Sequence, residues 1–381
     1  MQRGEGVDSK PTVLIAGATG VVGQAAAQHF ASIPGWRVVT VSRRRPSVLV
    51  ASEWLPLDLA DEGQCSRVLS SQRDITHVVY AALYEADGLS AGWLNQQVMH
   101  RNELMLSNLM EPLLASSPIE HVSLMQGTKA YGMHHPSIGW TGVKNPLRER
   151  DGRAAHPNFY FLQEDYLKGR QEGASWGLTI FRPTVIYGDA IGNNMNLIPV
   201  LAAWAALLRE EGRPLDFPGR HISTMVKEAV DADLVARALA WAATCPDARG
   251  GTYNLTNGDV FLWQNIWPVI AEVMGMAIGE HRPVQLAQEI PRRGDQWSHL
   301  VDRFNLRAPR DILAFVGQNS LVYADGLLSG EDPPVGPVLN STVAVRQAGF
   351  HDCMDTEIMF RKWFQRLLDL RLLPSSTAMP S

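Results

Sequence analysis

One stretch constrains this chain more than any other. Thr12, Val13, Leu14 and Ile15 form an apolar, β-branched run; Gly17-Ala-Thr-Gly20-Val-Val-Gly23 follows, and then Gln24-Ala-Ala-Ala. The run reads as a strand buried on both faces, and the alanine-rich segment as a helix packed tightly on it. Glycines between them allow a turn that side chains would strain, and leave bare backbone N–H groups at a helix start. Such amides, with the positive end of the helix dipole, bind a pyrophosphate. The spacing is G-x-x-G-x-x-G rather than the general G-x-G-x-x-G dinucleotide fingerprint, so the order strand, turn, helix carries as much weight as the glycines. A glycine-rich turn without a ligand is the competing reading.

The next strand-like segment, residues 36–41, bears on which dinucleotide binds. It ends in Ser42-Arg43-Arg44-Arg45. A site selective for NAD carries an Asp or Glu here for the ribose 2′-hydroxyl. This chain has a serine and a basic cluster instead, and arginine offers a planar fork of donors suited to a phosphate dianion. NADPH/NADP+ is therefore the expected cofactor, against the alternative of a solvated basic loop.

Further strands alternate with helices. Residues 53–59 end in the acid–apolar pair Asp58-Leu59, fitted to an adenine amino group; an Asp capping the helix that starts near Asp61 explains Asp58 equally well. Residues 76–82 end in Ala81 and Ala82, small enough for a ribose to approach. A helix is predicted over 89–115, a fifth strand over 121–125, and a sixth over 179–188 that leaves the sheet. Residues 196–211 are apolar on every side and include Trp204, as in a buried helix or one lining an oily pocket. Residues 231–243 and 251–255 return to the sheet, and the rest is helical with proline-rich interruptions around Arg292 and Pro333. The fold class is α/β: a Rossmann-like doubly wound parallel sheet with a smaller, mainly helical substrate-binding cap. The sheet domain takes residues 1–190 with 220–258, and the cap takes 191–219 and 259–381.

With 381 residues, 45 % of them apolar, and a net charge of −5, the chain can bury a large core and offers no electrostatic case for nucleic acid or an anionic membrane. The longest apolar run, residues 197–208, is too short to span a bilayer. Cys65, Cys245 and Cys353 lack C-x-x-C spacing, and the N-terminus has no secretory apolar core, so a cytoplasmic protein is expected. His134 and His135 have no third ligand at metal spacing, and no metal site is expected.

Ligands of doubly wound sheets bind beyond the carboxyl ends of the strands. There, short-chain dehydrogenases pair a catalytic Tyr with a Lys four residues later. No Tyr here has that partner: Tyr160 is followed by Glu164, and Tyr166 by Arg170. Lys129, however, lies just past the fifth strand, and the end of that strand and the start of the next helix face one pocket. Lys129 and Tyr160 are placed to meet in space.

Gly127-Thr-Lys-Ala-Tyr-Gly132, Asn158-Phe-Tyr-Phe-Leu-Gln-Glu-Asp165 and Arg182-Pro-Thr-Val-Ile-Tyr-Gly188 resemble motifs of the progesterone 5β-reductase/iridoid synthase-like enzymes. These are atypical, extended short-chain dehydrogenases that reduce activated C=C bonds of enones with NADPH. Met195-Asn-Leu197, Asn257-Gly-Asp-Val-Phe261 with Trp263, Gly349-Phe350, Asp355-Thr356, Phe360 and Trp363 add to the resemblance, which runs from Thr12 to Pro374. It implies that Tyr160 and Lys129 are the catalytic pair. Gly17, Gly20 and Gly23, with Thr19, Val21 and Val22, would hold the pyrophosphate, and Ser42, Arg43 and Arg44 the 2′-phosphate. Asp58 and Leu59 would lie by the adenine, Ala81 and Ala82 by a ribose, and Pro183, Thr184, Val185 and Ile186 beside the nicotinamide. The partner implied is a small apolar enone or enal, with a homodimer left open. Two features depart from the pattern: Phe161 stands where a second Tyr is common, and residues 144–153 are unusually basic.

On this reading the Tyr160 hydroxyl donates to the oxygen that gains charge, and the Lys129 ammonium makes the phenol more acidic. The competing functions are a carbonyl reductase, a nucleotide-sugar epimerase, and a non-catalytic NADPH-sensing regulator.

Overall fold

The computed structural model describes residues 10–46, 53–86, 88–134, 143–153, 155–220, 225–329 and 337–375. Seven parallel strands make one sheet: β1 (Thr12–Ala16), β2 (Arg37–Ser42), β3 (Glu53–Pro56), β4 (His77–Tyr80), β5 (His121–Met125), β6 (Gly177–Pro183) and, after three short strands, β10 (Thr252–Leu255). Their order is β10-β6-β5-β4-β1-β2-β3. The three short strands are β7 (Ile186–Tyr187), β8 (Leu215–Phe217) and β9 (Val230–Asp231).

Successive side chains of β1 go to opposite faces and both faces are covered, which is why the run is apolar throughout. Val13 and Ile15 pack with Ala26, Phe30, Leu234 and Leu239 from α1 (Val21–Ser32) and a later helix. Leu14 and Ala16 pack with Leu69, Leu106, Leu109 and Leu167 on the other face. These come from α2 (Glu62–Leu69), α4 (Gln96–Ser116) and α5 (Phe159–Gln171). The helix predicted over 89–115 is broken: a short α3 (Ser90–Trp93) precedes α4, and Asn95 caps α4 by accepting from the amides of Gln97 and Val98.

The sixth strand also stops early. At Pro183 it leaves the sheet, and Ile186 and Tyr187 pair instead with Val230 and Asp231 of β9. The chain thereby enters α6 (Leu197–Glu210), whose residues 197–209 are all buried. After α7 (Ala232–Thr244) and β10 come α8 (Trp263–Val273), β11 (Ile278–His281, paired with β8) and helices α9 (Leu286–Arg292), α10 (Gly294–Arg303), α11 (Ile312–Val316) and α12 (Gln318–Ser329). α13 (Val343–Gln347) and α14 (Thr356–Asp369) close the chain. Around α6, Trp204, Trp263, Trp297, Phe315, Phe360 and Phe364 form a separate core. Val345 and Phe350, in the stretch assigned to the cap, pack instead with Val13, Phe181 and Tyr253 on the sheet side. His135, Pro136 and Pro333 lie outside the described residues. Among those described, no helix is long and apolar enough to cross a membrane.

Candidate active site

The sheet's order reverses between β1 and β4, and the crevice at that point is where doubly wound sheets bind ligands. Gly17 sits in it with φ of +84°, and a Cβ there would lie 2.7 Å from the Ala81 carbonyl oxygen. Only glycine meets both demands. Its amide donates to Val41 O at 3.0 Å, and Gly20 N–H donates to Gly17 O at 2.9 Å, folding the turn into the start of α1.

A cavity of about 480 Å³ opens from this crevice. Its walls include Gly17, Thr19, Gly20, Val21 and Val22 from the glycine turn, Ser42, Arg43 and Arg44 from the end of β2, and Asp58 and Leu59. Ala81 and Ala82, Lys129, Tyr160, and Pro183, Thr184, Val185 and Ile186 complete the set proposed from sequence. Gly23 is the exception, because it does not line the cavity. A Cβ there would lie 2.2 Å from Gly17 O, so its bare Cα lets α1 press against the turn. Asp61, not Asp58, caps α2, while Asp58 accepts from Ala60 N–H at 3.0 Å and keeps its place on the wall. Ser42 Oγ donates to Arg44 O at 2.6 Å and accepts from Trp54 Nε1 at 3.1 Å, shaping the loop. Arg43 and Arg44 are exposed, and neither has an ion-pair partner among the described residues.

These features fit a phosphorylated dinucleotide: a backbone cradle that a Cβ would fill, with uncommitted cations along the wall. Arg101 on α4 adds to them. It lines the cavity with its guanidinium 3.8 Å from the Tyr84 ring centroid, and its buried Nε has no hydrogen-bond partner among the described residues.

At the far end Lys129 and Tyr160 come together through a third residue. Asn158 caps α5, its Oδ1 accepting from Tyr160 N–H at 3.0 Å, and its Nδ2 donates to Lys129 O at 2.9 Å. The Tyr160 ring packs with Phe159, Ala130 and Leu83. Its hydroxyl makes no hydrogen bond to the described residues and faces the cavity, near Gly127, where a Cβ would be 3.3 Å away. Beneath it a buried network fastens α5 to the sheet. Gln126 Nε2 donates to Tyr160 O at 3.1 Å, Arg182 Nε donates to Gln126 Oε1 at 2.9 Å, and Arg182 approaches Glu164 at 3.4 Å. Glu164 also pairs with Lys168 at 2.6 Å and Arg153 at 3.0 Å. Burial pushes its carboxyl up, yet these donors together hold it down at about 2.

The lysine is placed differently from the sequence reading. Its ammonium meets Glu85 Oε1 at 3.3 Å and lies 3.7 Å from the Trp93 ring centroid. Burial brings Lys129 down to about 8, with Glu85 opposing the shift. Tyr160 is not made more acidic: burial raises its hydroxyl above the usual phenol range, and Glu85 and Tyr323 add to this while Arg182 opposes it. The phenol thus stays a protonated donor at neutral pH. Glu85, Trp93, Arg101 and Tyr323 were not singled out from sequence. None stands in a glycine motif or at a strand end, and Tyr323 reaches the cavity only because α12 packs over it.

The sequence pattern of the PRISE-like Rossmann-fold domain matches residues 62–314. The chain is 30 % identical over 380 residues to an (S)-8-oxocitronellyl enol synthase of Antirrhinum majus, covering 95 % of this chain and 92 % of that one. It is 28 % identical to a 3-oxo-Δ4,5-steroid 5β-reductase of Arabidopsis thaliana, over 95 % and 92 % of the two chains. Among solved structures, UDP-glucose 4-epimerase of Bifidobacterium longum in complex with NAD+ and UDP shares the fold, with a TM-score of 0.63 at 15 % identity, covering 94 % of this chain and 98 % of that one.

Proposed function

From a chain that belongs to the PRISE-like Rossmann-fold family, we propose an NADPH-dependent oxidoreductase of the short-chain dehydrogenase/reductase type that reduces the activated C=C bond of small enones or enals. The observation that carries this reading is the Tyr160 hydroxyl, which has no hydrogen-bond partner among the described residues and faces a cavity that a lysine from another element also lines.

In this reading the amides at Gly17 to Gly20 and the start of α1 hold the pyrophosphate. Arg43 and Arg44, with Ser42, receive the 2′-phosphate; Asp58 and Leu59 flank the adenine; Ala81 and Ala82 admit the ribose. Pro183 to Ile186, leaving the sheet at the end of β6, lie beside the nicotinamide. The cofactor, when bound, supplies a hydride to the enone β-carbon. Negative charge then collects on the carbonyl oxygen of the substrate. Tyr160 donates a hydrogen bond to that oxygen, and a donor already in place costs no reorganisation as the charge develops. The Lys129 ammonium adds a positive charge to the same end of the cavity, and a solvent proton at the α-carbon completes the reduction.

The arrangement tells against the rivals in one respect: the helical Tyr/Lys pair that carbonyl reductases and epimerases use is absent, since Glu164 follows Tyr160 by one turn and is committed to Arg182 and Lys168. NADPH oxidation monitored with a panel of cyclic and acyclic enones and enals tests the proposal. Turnover with at least one supports it, and cofactor binding without any turnover refutes it.

A further inference from the structure

Behind the cavity wall stands a carboxylate that the reaction above does not use. The Glu85 side chain is 2 % exposed; its Oε1 accepts from Trp93 Nε1 at 3.0 Å and from Lys129 Nζ at 3.3 Å, and its buried Oε2 has no hydrogen-bond partner among the described residues. A buried carboxylate with one oxygen unbonded is costly to keep unless a positive charge answers it. The geometry points to Glu85 as the positioning residue of the catalytic lysine: its carboxylate fixes the Lys129 ammonium against the face of Trp93 and supplies the counter-charge that lets a lysine sit in the cavity wall. This deepens the proposed ene-reduction and rests on it.

The charged and titratable groups around the pair come from several elements. Tyr160 approaches from α5, Tyr323 from α12 and Arg182 from β6. Arg182 is already held by Gln126 and Glu164. Glu85 is thus the one acid paired with Lys129 among the described residues. Burial works against the ammonium and Glu85 works for it. Without the carboxylate, the lysine would lose its proton nearer to neutral pH and its charge would no longer face the developing enolate. Without the lysine, Glu85 would be a stranded charge turned toward the Tyr160 and Tyr323 hydroxyls, both of which it already pushes upward.

Glu85→Gln keeps the acceptor for Trp93 and removes the charge. Lys129 Nζ, followed by NMR of chain labelled at lysine nitrogen, is expected to titrate about one pH unit or more lower than in the parent. The basic limb of kcat with an enone should move down by the same interval, with activity recovered toward pH 6. A structural role alone would lower kcat equally at every pH. Lys129→Met strands the carboxylate, so its melting temperature should fall further than that of the Glu85→Gln/Lys129→Met double variant. An unmoved Lys129 midpoint in Glu85→Gln, or additive losses in the double variant, would overturn the inference. Failure of the ene-reduction reading looks different: the parent turns over no enone, while the Lys129 midpoint still moves in Glu85→Gln.

Discussion

The Asn158 carboxamide donates to the main-chain carbonyl of Lys129 at 2.9 Å. Its other end accepts from Tyr160 N–H, so one side chain sets both the start of α5 and the loop after β5. The two groups proposed to act on one oxygen are thereby registered through a rigid local contact, although they are distant in sequence. Asn158→Asp keeps the cap acceptor and loses the donor, whereas Asn158→Ala loses both. Removing a helix cap costs about 1 kcal/mol. Asn158→Asp is expected to keep most of the melting temperature and lose enone turnover; Asn158→Ala should lose both. NADPH affinity, measured by fluorescence titration, should change little in either. Full turnover in Asn158→Asp would show that the registration does not matter.

Tyr160→Phe isolates the donor. The ring packing with Phe159 and Ala130 is kept, and the hydroxyl has no partner among the described residues to strand. Removing one donor to a developing oxyanion typically lowers kcat about 10²- to 10³-fold. The same loss is expected here, with the NADPH dissociation constant unchanged. A variant that reduces enones at the parent rate would remove Tyr160 from the mechanism.

Cofactor selectivity should reside in Arg43 and Arg44, the exposed pair on the cavity rim. Hydrogen bonds to charged groups contribute about 1.5–3 kcal/mol each, and about 1.4 kcal/mol is tenfold in affinity. Alanine at both positions should weaken NADPH roughly a hundred-fold or more and leave NADH nearly unchanged. Equal affinity of the parent chain for the two cofactors would refute the assignment.

Acid should unfold this chain through buried groups that the proposed reaction does not use. His121 is buried in β5 with neither ring nitrogen bonded among the described residues, and burial brings it from 6.5 to about 3. The unfolded chain therefore binds a proton below pH 6.5 that the native chain refuses until about pH 3. The stability this group contributes is full above pH 6.5 and is lost as pH falls toward 3, at about 1.4 kcal/mol per pH unit for one proton. Glu164, held at about 2, gives a second loss between its unfolded value near 4.5 and that point. Melting temperature followed from pH 7 to 4 should fall throughout this range, and more gently in His121→Asn. A flat parent profile would contradict the assignment.

How much of this was legible depended on whether a residue's type dictates its backbone. Gly17 could be read because a left-handed turn against Ala81 admits nothing else, and the apolar run of β1 because a strand covered on both faces has no polar side. Lys129 and Tyr160, which line one cavity, could be singled out by local motifs, since each sits within a few residues of a strand end or a helix start. Gly23, assigned to the pyrophosphate with Gly17 and Gly20, does not line the cavity and packs on the Gly17 backbone; a glycine that admits a ligand and one that admits its own backbone look alike in sequence. Glu85, Arg101 and Tyr323 carried no signal at all. Each lies on a loop or helix of ordinary pattern, and only the packing of α3, α4 and α12 over the crevice brings Arg101 and Tyr323 to the cavity and Glu85 behind its wall. The shift of Tyr160 away from acidity comes first from burial, which only the packing creates, and then from Glu85, its chief charged neighbour in place of Lys129.

The regiochemistry of hydride transfer discriminates best between the two reductase readings. A carbonyl reductase must put the carbonyl carbon at the hydride donor, with its proton donor within reach of the attached oxygen. An enone reductase must put the β-carbon there, two bonds further along, while the same oxygen is still held. The oxygen-binding donor then has to stand farther from the nicotinamide. Tyr160 has Glu164 rather than a lysine one turn further along its helix, and Lys129 is drawn aside to Glu85 and Trp93, which leaves the phenol to reach a more distant oxygen. With 2-cyclohexen-1-one and 4-deuterated NADPH, the expected product is cyclohexanone carrying deuterium at the β-carbon. Deuterium on the carbinol carbon of an allylic alcohol would instead establish 1,2-reduction. In that case the relocated lysine would mark a change in how the oxygen is held, not in which carbon is reduced.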